Sequence, residues 1–439
     1  MRIYDKQQKE NGQALVLLVF GIAVLLGFTA LAIDGGMLYA DRRNAQNGAD
    51  AASLAGGGAG ALYLENNNVN WLNWSCSNSA VLNAMATARA SAIGRAGDNS
   101  YTIDSNVSDK NGVTTRCENG INRISYIDKY IDIETFITAD TRTSFAQVIF
   151  GGPLRNTVNA ITRIRPRAPL AFGHAIVGTN NQPCSGNSNG VSLGGNNTIR
   201  VNGGGIYSNG CMDGDGNAFN VEVTNGTVVY AGEGGNNLEN VSPSPVHAPY
   251  SIPDDAFEVP PPDCTGLTAR TQHSGDTILY PGVYTNIKLT HGPLELKPGL
   301  YCFTGSPSAI NVTGGDMTAN NVTLYALNGE IKITGGEHHL SAYPVGTKDA
   351  DPAIPGILIY LARGNTHSVT MEGNEATFYL GTVYAPDGNI EVLGTGDIGS
   401  TFFTQLIGSN VKVSGDALID INFNGGQNYQ RPASLELFR

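Results

Sequence analysis

Charged side chains are scarce, 15% of 439 residues, and the basic ones are outnumbered 26 to 38, giving a formal net charge of -12. That balance argues against binding to nucleic acid, or to anionic lipid beyond a membrane anchor, since both normally require a basic patch and none is visible. Nothing suggests zinc ligation either, because none of the six cysteines stands in a CxxC or Cys/His spacing. There is no phosphate loop, and no Ser/His/Asp grouping can be assembled from the order of residues. Glycine is abundant instead, with 56 residues, so the chain reads as turn-rich rather than disordered and is long enough for two or three domains.

One apolar run stands apart. Ala14 to Ile33 contains no charged residue, and a helix of about 20 apolar residues rises about 30 Å, enough to cross the hydrocarbon core of a bilayer. Asp34 ends the run, as expected where a carboxylate in the bilayer centre costs about 2.5 to 3.5 kcal/mol. Arg2, Lys6 and Lys9 precede the span and Arg42 and Arg43 follow it, a bias that puts the N-terminus in the cytoplasm. The competing reading is a cleaved signal peptide, since Ala30-Leu31-Ala32 fits a small-x-small cleavage site. Against cleavage, the alanine-rich stretch after Asp34 extends the same helix with small residues along one side, a pattern that lets helices approach closely.

Gly12-Gln13-Ala14, the apolar run, Ala32-Ile33-Asp34, Leu38-Tyr39 and above all Gln46-Asn47-Gly48-Ala49-Asp50-Ala51-Ala52-Ser53-Leu54-Ala55-Gly56 resemble the N-terminal module of TadG-like proteins of the Tad (tight adherence, Flp) pilus-assembly family. The resemblance covers the first 60 residues or so. In related pilin-like members a prepilin peptidase cuts after a glycine before the span, with a glutamate five residues beyond. Gly12 matches that glycine, but position 17 is Leu. The resemblance therefore implies a membrane-anchored accessory protein of the pilus machinery rather than a major pilin subunit.

The asparagine-rich stretch Asn66 to Asn73 breaks the helix, and Ser79 to Gly94 restores a helical pattern. Strands are expected at Tyr101 to Val107, Ile121 to Thr138 and Asn159 to Arg165, making a small antiparallel sheet and a pilin-like α+β outline. Trp71 and Trp74 are expected to pack locally rather than to meet sugars or lipid headgroups. A domain boundary falls at Arg163 to Arg167, beside Pro166 and Pro169. Cys76, Cys117, Cys184, Cys211, Cys264 and Cys302 all follow the span, an even number that suits an oxidising exterior; sequential pairing is the simplest of 15 connectivities.

Beyond Ala171 a short motif recurs, two apolar residues one apart and then usually glycine: Ile199-Val201-Gly203, Val221-Val223, Ile287-Leu289, Ile310-Val312-Gly314, Ile331-Ile333-Gly335, Val369-Met371-Gly373, Ile390-Val392-Gly394 and Val411-Val413-Gly415. Spacings of about 21 residues suit stacked solenoid coils, and one coil buries its apolar side only against the next. The expected fold is mainly β: a transmembrane helix (14–33) after a short cytoplasmic tail (1–13), a helical extension (34–64), a pilin-like α+β region (65–168), then a right-handed parallel β-helix (169–439). A β-sandwich of hairpins is the alternative. Proline-rich stretches at 242–263 and 344–355 are expected to leave the stack as loops or flaps.

Parallel β-helices also carry polysaccharide lyases and hydrolases, so carboxylates matter. Asp213, Asp215 and Asn217 resemble the start of a calcium loop, but the twelfth loop position is Thr224 rather than Glu; Asp349 and Asp351 share one side of an extended segment. Turn chemistry accounts for both clusters. His338 and His339, after Glu337, point to opposite faces of a strand and are expected at a solvated strand end. No catalytic, cofactor or metal residue is assigned. The expected function is a non-enzymatic, single-pass surface protein that displays the β-helix for adhesion, or as a pilus accessory, to a carbohydrate or protein ligand. Its partners are the lipid bilayer and the Tad/Flp machinery, with no nucleic acid. The alternatives are an anchored polysaccharide-processing enzyme and a structural pilin.

Overall fold

In a computed structural model, the structure describes residues 11–104, 110–122, 127–146, 151–182, 190–196, 198–215, 219–233, 235–249, 251–395 and 400–438. It divides into two compact units. The first comprises Met1–Gly120, Lys129–Pro166 and Ala433–Arg439, and the second Ile121–Asp128 and Arg167–Pro432.

The first unit is built on α1 (Asn11–Asn66) and α2 (Ser79–Asp98). At 1.5 Å per residue, the 56 residues of α1 extend for about 84 Å. The helix stops where the asparagines begin. Asn68 takes a left-handed φ of 52°, and the Val69 N–H reaches back to the Leu64 carbonyl at 2.9 Å, closing the helix end. Asn78 caps α2 by accepting the Ala80 N–H at 2.9 Å. Three strands, β1 (Gly112–Asn122), β2 (Ile127–Thr141) and β3 (Leu154–Arg165), form a sheet in that order. Ser434–Phe438 adds antiparallel to β3, with Ile161 opposite Phe438, so the last residues of the chain do not continue the solenoid to 439. The strand expected at Tyr101 to Val107 is irregular over Tyr101–Asp104, where Tyr101 packs on α1 at Gly48; residues 105–109 lie outside the described residues.

The second unit is a parallel β-helix. Every recorded pairing in its large sheet is parallel, which excludes a sandwich of hairpins. Each coil contributes a strand to three faces, here sheets A, B and C, as Val322–Ala326 (A), Glu330–Ile333 (B) and His338–Ser341 (C) illustrate. The 21-residue glycine spacing is the stacking register: Gly373 lies beside Gly394, and Gly394 beside Gly415. Of the eight sequence motifs, the six from Ile287 to Gly415 stack in sheet B; those at Ile199 and Val221 lie in sheet C, following Ile419.

Spatial order departs from chain order. Strand His174–Gly178 pairs with residues 406–408 on one side and with Gly205–Ser208 on the other. The chain thus enters the stack in its middle, coils outward to Val246–His247, and restarts at the opposite end with Ala269–Arg270 to coil back to its entry point. The segment between is not a flap. Ala248, Ile252, Phe257 and Val259 are buried on the outer side of sheet A against Tyr207, Tyr360 and Tyr384. The Asn209 side chain pairs with both backbone groups of Ile252 at 2.8 Å, the Tyr360 hydroxyl donates to Val259 O at 2.6 Å, and Cys264–Cys302 pins the far end. The second proline-rich stretch also packs there, with Ala353 buried and Ile354 N–H bonded to Thr323 Oγ1 at 3.1 Å. Sheet A is therefore covered on both faces, which is why its strands read as unbroken apolar runs such as Ile357–Leu361.

Candidate membrane anchor

The functional geometry is clearest along α1. Between Leu15 and Ile33 its large side chains are exposed in the described structure: Leu17 is 72% exposed, Leu31 71%, Phe20 and Phe28 67%. The one hydroxyl among them, Thr29, donates to Leu25 O at 2.9 Å, so it is satisfied inside the helix and presents no unpaired donor to its surroundings. This stretch of α1 is long and apolar enough to cross a membrane.

Asp34, by contrast, is 5% exposed. Its carboxylate accepts the backbone N–H groups of Ser144 (2.7 Å), Phe145 (3.0 Å) and Ala146 (2.5 Å). Burial opposes ionisation here, but the three N–H donors outweigh it and hold the carboxyl below the ordinary carboxylate range. A residue expected only to mark the end of the span thus also tethers a chain segment more than a hundred residues away.

The conspicuous run Gln46 to Gly56 docks the rest of the unit onto the helix. Gln46 bridges Asp50 Oδ1 at 2.8 Å and Asn159 O at 3.1 Å, and the Ser53 hydroxyl links Thr162 Oγ1 (2.6 Å) and Ile133 O (3.1 Å) of the sheet. Gly56 leaves room for α2: a Cβ there would sit 2.8 Å from the Ala88 carbonyl oxygen. The small residues expected to let another helix approach are, on this side, consumed within the chain by the alanine stripe Ala84, Ala88 and Ala92 of α2.

The remaining sequence candidates do not converge. Asp213 lies in strand Met212–Asp215, opposite Ser192 and Asn236 in sheet B, so that segment is a rung and not a calcium loop. Thr224 is also in a strand and donates to Asn202 Oδ1 at 2.6 Å, while Asn217 lies outside the described residues. Asp349 and Asp351 are exposed in consecutive turns rather than on an extended segment. Trp74 is buried, with its indole N–H on Glu118 O at 3.0 Å, and Trp71 lies under the Lys129 ammonium at 4.2 Å, in keeping with local packing. His338 is not at a solvated end but fully buried, whereas His339 is exposed. One run, Gly186 to Gly190 around Ser188, spells G-x-S-x-G; it lies outside the described residues except for Gly190, and strand Val191–Gly194 follows it rather than the helix of a nucleophile elbow. Among the described residues no three His, Cys, Asp or Glu side chains gather as metal ligands do. Cys76–Cys117 and Cys264–Cys302 are bonded as sequential pairing has it; Cys211 is also oxidised, and Cys184 lies outside the described residues.

No curated protein matches the chain. Among solved structures it is similar to the crystal structure of an ice binding protein from an Antarctic Biological Consortium, at 15% identity over 58% of this chain and 91% of that one, with a TM-score of 0.21. At that score the β-helix rests on the strand registers alone. Residues 12–60, which carry both the apolar span and the docking face from Gln46 to Gly60, match the family described as putative Flp pilus-assembly TadE/G-like, so this chain begins with a TadE/G-like segment.

Proposed function

We propose that the chain is a single-pass membrane protein associated with Tad/Flp pilus assembly, which displays its β-helix outside the cytoplasm for adhesion or as a pilus accessory. The observation that carries this reading is the two-part α1: an apolar stretch whose large side chains are exposed, continuous with a helix that is built into a folded unit. Exposing that much apolar surface to water at about 25 cal/mol per Å² is untenable for a free soluble chain, so a bilayer is its natural solvent. The matched family supports the pilus association, and disulfides beyond the span support an oxidising exterior. The function is binding rather than catalysis: the solenoid supplies a rigid surface, and the candidate carboxylates are dispersed over it.

The test is carbonate extraction of membranes from cells making the full chain, followed by N-terminal sequencing. Retention in the washed membrane with the span intact is expected. A soluble protein beginning after Ala32 overturns the anchoring. Release of reducing ends from acidic or neutral polysaccharide by the purified chain overturns the non-enzymatic part.

A further inference from the structure

The outer face of sheet C carries an apolar island that none of the three hydrophobic cores uses. Phe378, Leu380 and Phe403 are half-buried and His339 is exposed, and none of the four belongs to a core cluster or packs against one. They are in register on successive coils: His339 beside Phe378, and Leu380 beside Phe403. The ring centroids are 6.4 Å apart for His339 and Phe378, which lie within 22° of parallel, and 5.3 Å apart for Phe378 and Phe403, which are tilted by 42°. The positions that flank the island in the same two rows are polar, with Thr318, Asn320 and Ser341 on one side and Thr401 and Asp420 on the other. Alternation of strand side chains puts every one of these residues on the outside, so core packing does not account for the aromatic choice.

We propose that this island is a binding site for a neutral, extended β-linked polysaccharide running along the stack; the proposal rests on the adhesive reading above and names its ligand. Pyranose rings present C–H faces to aromatic rings and hydroxyls to flanking threonine and asparagine side chains, and the face offers both. Coils repeat at about 4.8 Å, close to the advance per sugar of such a chain, so a polymer lying along the stack keeps step with the coils across the island. The net charge of -12, with Asp420 on the same face, disfavours uronate polymers.

The test uses the full chain in detergent micelles, with cellulose and chitin beads as probes and polygalacturonate beads as the acidic comparison. Retention on at least one neutral polymer is expected, falling at least tenfold in the double variant Phe378→Thr with Phe403→Thr. That variant introduces the residue already present at neighbouring outward positions, and an unchanged melting temperature verifies that it folds. A single variant, Leu380→Thr, serves in its place if the double variant melts early. No retention on either neutral polymer, equal retention by the folded variant, or a preference for polygalacturonate overturns the proposal. Any of these leaves the membrane anchoring untouched, because that is read separately by extraction.

Discussion

Asp34 shows how one carboxylate serves two neighbours, a span that ends at it and a backbone turn that donates three N–H groups to it. Because its folded pKa lies below the ordinary value, the stability it supplies is present above about pH 4 and is lost as pH falls through the folded value. Asp34→Ala is therefore expected to lower the melting temperature of the α+β unit at pH 7, with the gap to wild type narrowing in parallel thermal melts as the pH is lowered and the carboxyl takes up its proton. His338 works with the opposite charge type. Burial inside the solenoid lowers its pKa, and the Gly335 backbone, Asp316 and Glu372 offset this only in part while His339 adds to it. A base kept neutral in the fold contributes stability that is full above about pH 6.5 and declines as the unfolded state takes up its proton. The β-helix is expected to melt earlier at pH 5.5 than at pH 7.5, and His338→Leu is expected to reduce that difference; an unaltered pH dependence in the variant would refute the assignment.

Among elements, α1 shows that glycines in a helix are not equivalent. A Cβ added at Gly58 would meet nothing within 4 Å, whereas Gly56 faces the backbone of α2. Gly58→Ala is expected to stabilise by about 0.5 to 1 kcal/mol through helix propensity, and Gly56→Ala to destabilise by about 1 to 3 kcal/mol through overpacking, both read by urea denaturation. The segment crossing sheet A is held by hydrogen bonds from Asn209 and Tyr360 and by one disulfide that closes a separation of 38 residues. Replacing Cys264 and Cys302 by Ser is expected to cost about 2 to 4 kcal/mol and to bring residues 248–268 within reach of protease, seen as new fragments in limited digestion. Continued resistance there would mean that the hydrogen bonds suffice.

The solenoid differs from an ordinary repeat array because its two stacks grow from a central seam. In a linear array each coil meets only its neighbours and the ends fray independently. Here the first coils of the chain seal the end of the last ones: Ile176 sits beside Leu406, and Ile199 beside Ile419, all fully buried. At the outer end, Gln272 covers the bare edge of sheet B, its amide accepting from and donating to the backbone of Lys288 at 2.8 and 3.0 Å. The β-helix should therefore unfold in one denaturant transition, and Ile176→Asp, which places a charge in the seam, should split it into two. A single transition in the variant would show that the crossing segment alone couples the stacks.

The sequence by itself determined the apolar stretch, the helix break at the asparagines and the presence of stacked coils, because each depends on local composition or on a short repeat. The 21-residue spacing of Gly373, Gly394 and Gly415 is the register seen in the fold. Only the tertiary structure decided that the motifs at Ile199 and Val221 belong to a different face from the other six, that the proline-rich segment is a packed crossing and not a flap, and that Ser434–Phe438 returns to the sheet of the first unit. The outward island of His339, Phe378 and Phe403 was hidden for the same reason. Which coil lies beside which, and which side of a strand another segment covers, are settled by contacts between residues far apart in the chain, and no local pattern of side chains encodes them.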